Sequence, residues 1–293
     1  GHYFEIMYDD TNHWSQCAVS GCSAKKDMTV HQFSQGICDI CGYKSPYSVG
    51  LAYTISSDGT SYTVSGIGSC TDTDIVIPST YNGLPVTAIG SFAFQHCSDL
   101  ISVKIPSSIT SIGSFAFNGC YNLTRIEIPE NVSSMGVGVF AQCRNLTTVY
   151  YNAVNCVIIN TYGDGSWGND VFNGAGTETT GITFYVGNKV QSIPAYLFAW
   201  DISSVPYEAK LIAVVFEEGS VCESIGKSAF NKCYRLTNIT IPASVKSIES
   251  GAFSGCYHLA EVKNLSSLEI TAGSSSNGSV KKKKKNVFSS DED

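Results

Sequence analysis

The chain is 293 residues long, with 43% apolar residues, only 15% charged residues and a formal net charge of −7. That balance excludes an intrinsically disordered chain and leaves room for two domains around a sizeable core. Without its last 13 residues, where Lys281 to Lys285 lie, 13 basic side chains face 22 acidic ones, a balance that repels nucleic-acid phosphates.

Residues 1–46 are set apart by their cysteines. Cys17-Ala-Val-Ser-Gly-Cys22 and Cys38-Asp-Ile-Cys41 form two pairs separated by fifteen residues, with His13 ahead of the first pair and His31 ahead of the second. Two such knuckles closing on one ion make a tetrahedral zinc site. Four sulfurs leave no open position, so one zinc here is expected to be structural, with His13 and His31 as further candidate ligands. The first pair encloses four residues instead of the usual two. Two disulfides, or free thiols, therefore stay open beside zinc. No other cofactor is expected.

The second region runs over 47–270. Tyr53 to Gly66 alternates around Ser57-Asp58-Gly59, as a hairpin-like cap would, and Asp74-Ile-Val-Ile-Pro78 reads as an opening strand. A repeat follows. Ile89-Gly-Ser-Phe-Ala-Phe-Gln-His-Cys97 and Ile112-Gly-Ser-Phe-Ala-Phe-Asn-Gly-Cys120 lie 23 residues apart, and each continues into Leu, two β-branched residues and Pro: Leu100, Val103, Ile105-Pro106, then Leu123, Ile126, Ile128-Pro129. Further copies carry Met135, Phe140, Cys143, Leu146 and Val149, then Ile225, Phe230, Cys233, Leu236 and Ile239, then Ile248, Phe253, Cys256, Leu259 and Val262.

A unit of this length cannot bury a core alone, whereas a stack can. The pattern predicts parallel strands near 103–105, 126–128, 149–151, 184–186, 214–216 and 239–241 in one sheet. On the opposite side it predicts short helices or 3₁₀ turns, with Phe94, Phe117, Phe140, Phe198, Phe230 and Phe253 buried in a stack. The fold class is thus a β-rich α/β solenoid. The stretch from about 152 to 181, rich in Gly, Asn, Thr and Asp, reads as an insertion, and 271–293 as a flexible polar tail.

The unit Leu-x-x-Ile-x-Ile-Pro-x-x-Val-x-x-Ile-Gly-x-x-Ala-Phe-x-x-Cys resembles the BspA-type leucine-rich repeat of bacterial surface proteins, over roughly residues 50–270. Gly138-Val139 and Glu249 depart from it locally. The N-terminal arrangement, His-Trp-x-x-Cys followed by His-x-Phe-x-x-Gly-x-Cys-x-x-Cys-Gly-Tyr, looks like small zinc-ribbon-like modules of other bacterial surface proteins. These resemblances imply a cell-surface or secreted location and a role in adhesion or recognition, with a host or extracellular-matrix protein or a glycan as partner. They name no ligand. The chain begins at Gly1 without an apolar leader and reads as an excised piece lacking its targeting segment. Its longest apolar run, Leu211 to Phe216, is far short of the ~20 residues that cross a bilayer.

No nucleophile elbow, phosphate loop, dinucleotide fingerprint or His-Glu-x-x-His is present, so no catalytic residue is expected. The cysteines at the repeat position, Cys97, Cys120, Cys143, Cys233 and Cys256, read as small buried fillers. The Asn-x-Ser/Thr sites at Asn122 and Asn145 are by-products of the repeat. Recognition is left to the outward residues of the strands, where alternation selects Lys104, Arg125, Glu127, Tyr150 and Tyr185. Tyr162 and Trp167, among glycines at 161–169, form a second candidate surface for stacking on a sugar or a side chain. A structural spacer, holding another domain away from the cell wall, is the alternative to a binding face.

Overall fold

A computed structural model describes residues 4–8, 12–17, 25–30, 33–34, 37–38, 40–41, 45–159, 169–199 and 209–269. At the N-terminus, Phe4–Tyr8, Asn12–Cys17 and Lys25–Val30 form an antiparallel three-stranded sheet, and Phe33–Ser34 pairs with Ile37–Cys38.

The repeat builds two rows of parallel strands. The front sheet runs Asp74–Val76, Ser102–Lys104, Arg125–Ile128, Thr148–Tyr151, Ile182–Val186 and Leu211–Phe216. Inward residues alternate with outward ones along each strand. Val103, Ile126, Val149, Phe184 and Val214 are buried, because the pleat sends every second side chain into the core. The strand expected near 239–241 is present as Asn238–Ile241, yet it pairs with Glu261–Asn264 in a separate two-stranded ladder. Val214 and Ile239 lie 25 positions apart rather than 23.

Sequence reasoning missed the back sheet. Short strands at Ser111–Ile112, Ser134–Met135 and Val157–Ile158 extend a sheet begun by the hairpin Ala52–Ile55 and Tyr62–Gly66 and by Leu84–Ile89. Ser192–Ile193, Ser224–Ile225 and Ser247–Ile248 repeat the arrangement further on. Units approach closely here. A Cβ at Gly113 would stand 2.3 Å from the backbone nitrogen of Ser91 in the preceding unit, which explains glycine after the strand.

The expected short helices are not found: among the described residues the units close through turns. The hydrogen bonds give the reason. Ala93, Gln95 and Cys97 donate to carbonyls three residues back, but Phe92, Phe94 and His96 donate to Ser114, Ala116 and Asn118 of the next unit at 3.0, 2.7 and 2.8 Å. Phe115, Phe117 and Gly119 repeat this toward Val137, Val139 and Ala141. A helix spends its N–H groups within itself; these turns spend alternate ones between units and so form a third ladder. A left-handed residue opens these turns and another closes them four positions on, as Phe92 (φ 63°) and His96 (φ 59°), Gly138 and Gln142, and Ser228 and Lys232 do.

Inside lies the aromatic stack. Phe94, Phe117, Phe140, Phe172, Phe198, Phe230 and Phe253 follow one another with ring centroids 4.6 to 5.8 Å apart and nearly parallel planes. Each such pair adds about 0.5–1.5 kcal/mol beyond burial. Phe172 narrows the reading of 152–181 as an insertion. Val157–Ile158 is a back-sheet strand and Asp170 to Ala175 is a repeat turn, while Val149 and Phe184 lie 35 positions apart instead of 23, so the extra residues sit within an otherwise recognisable unit.

The repeat cysteines are core fillers. Cys120, Cys143 and Cys256 are buried, and each thiol donates to the carbonyl of a Phe one unit back: Phe94 at 3.1 Å, Phe117 at 3.2 Å and Phe230 at 3.1 Å. Burial pushes the Cys120 and Cys143 thiols well above their ordinary range, so they stay protonated.

Candidate binding face

The strand register places the outward candidates side by side. Ser102 pairs with Arg125, Arg125 with Thr148, Glu127 with Tyr150, and Tyr150 with Tyr185. Lys104, Arg125, Glu127 and Tyr150 are exposed, and Tyr185 is half-buried. The Tyr150 and Tyr185 rings stack, with centroids 5.1 Å apart and planes 18° from parallel. Val215, opposite Tyr185, is 40% exposed and extends this apolar strip by one strand.

A groove of about 710 Å³ opens at the Tyr150 end of this strip, with Lys104, Arg125, Glu127 and Tyr150 in its lining. Sequence reasoning missed its far wall, where Glu130, Asn152, Lys189 and Glu217 stand. Lys189 Nζ meets Glu130 Oε2 at 2.9 Å, an exposed pair that solvent and salt screen. The Glu130 carboxylate holds the Lys189 ammonium above its usual range. Asn152 donates its amide to Glu127 at 3.0 Å, and the Asn188 N–H donates to Glu217 at 3.2 Å. A second, shallower groove of about 320 Å³ on the back sheet is lined by Gly90, Gly113, Gly136, serines and aliphatic residues, with no charge or aromatic ring to fix a ligand.

Of the second candidate surface, Tyr162 and Trp167 lie outside the described residues, as do Cys22 and His31. His13 and Cys17 belong to the strand Asn12–Cys17 and Cys38 to Ile37–Cys38; only their backbones are described. Cys41 is half-buried. No helix among the described residues is long and apolar enough to cross a membrane.

A solenoid of stacked 23-residue units, with a parallel sheet presenting an open groove, defines the leucine-rich-repeat class. The family pattern of the BspA type leucine rich repeat region, in six copies, matches residues 68–201 and 165–287, and the chain belongs to that family. Among solved structures it is similar to a leucine-rich repeat protein from Eubacterium ventriosum ATCC 27560, at 23% identity over 84% of this chain and 59% of that one, with a TM-score of 0.51; this likeness concerns the fold. It also matches the leucine-rich repeat protein TpLRR of T. pallidum (24% identity, 74% and 81% of the two chains, TM-score 0.47). A third match is a leucine rich cell surface protein of Faecalibacterium prausnitzii A2-165 (25%, 76% and 56%, 0.47). The chain spans a little over half the length of the first and third of these. No functionally curated protein matches it.

Proposed function

We propose that this chain is a non-catalytic recognition module of a cell-surface or secreted bacterial protein, which binds a protein partner in the front-sheet groove. The observation that carries this reading is the stacked Tyr150–Tyr185 pair, Tyr150 exposed and Tyr185 half-buried, on the same sheet face as Lys104 and Arg125, where the strand ladders fix the backbone. Tyrosine and arginine bring large contact area at small entropic cost and dominate protein interfaces. Rigid outward rows on a fixed scaffold are pre-organised for binding, which lowers its entropic cost.

The test is capture on the immobilised chain from arrays of extracellular-matrix proteins and of glycans. Capture of a protein that Tyr150→Ala with Tyr185→Ala weakens supports the reading. Capture of a glycan that depends on residues 161–169 moves the site to the segment with Tyr162 and Trp167. A chain that holds nothing from either array is better read as a spacer. For the N-terminal residues we propose one structural zinc on Cys17, Cys22, Cys38 and Cys41, supported by their spacing.

A further inference from the structure

The charges of the groove are unevenly satisfied. Each of its three carboxylates already has a donor: Glu127 has the Asn152 amide, Glu130 has Lys189, and Glu217 has the Asn188 N–H. Lys104 and Arg125, exposed on neighbouring strands, have no ion pair or side-chain hydrogen bond among the described residues. One end of the groove is therefore a corner of two available cations. Tyr150 lines the groove two strands from Lys104, and the apolar strip it begins continues through Tyr185 and Val215 beyond the groove's lining.

Strands in a sheet lie about 4.8 Å apart, so the centre of the cationic corner and the centre of the tyrosine pair, two strands on, are separated by about 10 Å. An extended polypeptide laid across the strands advances about 3.1–3.4 Å per residue, so three residues span that gap. In a polyproline-type extension, residues three apart also share one face. We infer that the groove, with the apolar strip beside it, takes an extended, acidic segment of a partner protein. A carboxylate of the segment sits on Lys104 and Arg125, and an aromatic or aliphatic side chain three or four residues away lies on Tyr150, Tyr185 and Val215.

This inference rests on the front sheet being the binding face and adds the chemistry of what binds there. A glycan offers the tyrosines a surface to stack on but, unless it is acidic, leaves both cations unpaired. Because the body of the chain is acidic overall, the cationic corner sets the position of the segment on a surface that otherwise repels it. Attraction at this corner falls within a Debye length of about 8–10 Å at ordinary salt, so binding weakens as salt is raised.

The experiment is selection of random linear phage-displayed peptides on the immobilised full chain, followed by synthesis of an enriched peptide and titration against variants. The expected result is enrichment of Asp or Glu three or four positions from Phe, Tyr, Trp or Leu. Lys104→Glu with Arg125→Glu should then cost at least about tenfold in affinity, and salt should weaken binding of the parent chain. Enriched peptides without an acidic residue, lost with Tyr150→Ala and Tyr185→Ala yet untouched by the charge reversal, would overturn the acidic-segment inference and leave the binding face standing. Peptides insensitive to both sets of substitutions would overturn the inference and the face together. Far-ultraviolet circular dichroism of the charge-reversed chain, matching the parent, separates lost binding from lost folding.

Discussion

Gly138 lies directly under the ring of Phe115: its backbone is left-handed at φ +61°, and a Cβ there would stand 2.3 Å from Phe115 Cε1. The same turn position is filled by Phe92 and Phe115 in the two preceding units, so the glycine ends a short row of surface rings stacked 5.5 Å apart. Gly138→Ala therefore meets two costs, the left-handed backbone at about 1–2 kcal/mol and the displaced ring at about 1–3 kcal/mol. Gly59, at φ +71° with open space for 4 Å around the place a methyl would take, meets only the first. Thermal melts should rank Gly138→Ala as the more destabilising, and Phe115→Ala in the same chain should recover the difference. Equal losses at the two glycines would mean that the ring yields freely.

Position within the repeat, and not residue type, sets what a phenylalanine contributes. Phe117 is fully buried between Phe94 and Phe140, at 5.1 and 5.5 Å. Phe117→Ala should cost about 3–5 kcal/mol through the transfer and cavity terms. Phe92 is 53% exposed, and Phe92→Ala should cost far less. Urea titration of both variants checks the contrast; similar midpoints would dissolve the distinction between the inner stack and the outer row.

The buried thiols give the solenoid an alkaline limit. Burial pushes Cys222 up to about 11 and Cys156 up to about 12 from an ordinary value of 9.0. Above about pH 9 the unfolded chain releases these protons while the folded chain keeps them, so the folded state binds more protons and stability falls as pH rises. The decline runs from the ordinary value through about 11 for Cys222 and about 12 for Cys156, with a slope approaching 1.4 kcal/mol per pH unit for each thiol. Cys222→Ala should make the decline between about pH 9 and 10 shallower. Under native conditions maleimide should label Cys97, which is half-buried, before Cys120 or Cys143. Labelling of Cys120 without unfolding would contradict its place in the core.

Metal content decides the N-terminal proposal. Elemental analysis of the whole chain, purified without chelator, should find one zinc per chain, released as the four thiols are titrated with a mercurial. Four sulfurs covalently paired and no metal would replace zinc by two disulfides.

The front sheet was legible because Val103, Ile126 and Val149 recur at a fixed period with outward residues between them. The back sheet was hidden for a reason of length: strands such as Ser111–Ile112 are too short to display alternation. The turn ladder was hidden because it places Phe92 and Phe115 in a left-handed conformation that bulky residues avoid, against any propensity argument. Phe172 escaped notice since Ala175 stands where other units have cysteine. The groove wall depended on units of unequal length, which bring Lys189 to Glu130 across an intervening unit, and no fixed period aligns the two. Lys104, Arg125, Glu127 and Tyr150, by contrast, followed from alternation alone and line one groove.

The central claim is that recognition uses the outward row of the front sheet. The measurement that tests it most directly is the affinity of a captured protein partner for the parent chain, for Tyr150→Ala with Tyr185→Ala, and for a chain lacking residues 161–169. Both tyrosines are surface residues whose removal leaves the Phe stack intact, so the double variant should melt close to the parent. It should bind at least tenfold more weakly, about 1.4 kcal/mol, while the chain lacking residues 161–169 binds as the parent does. Parent-like affinity in the double tyrosine variant, with binding abolished by deletion of residues 161–169, would contradict the account.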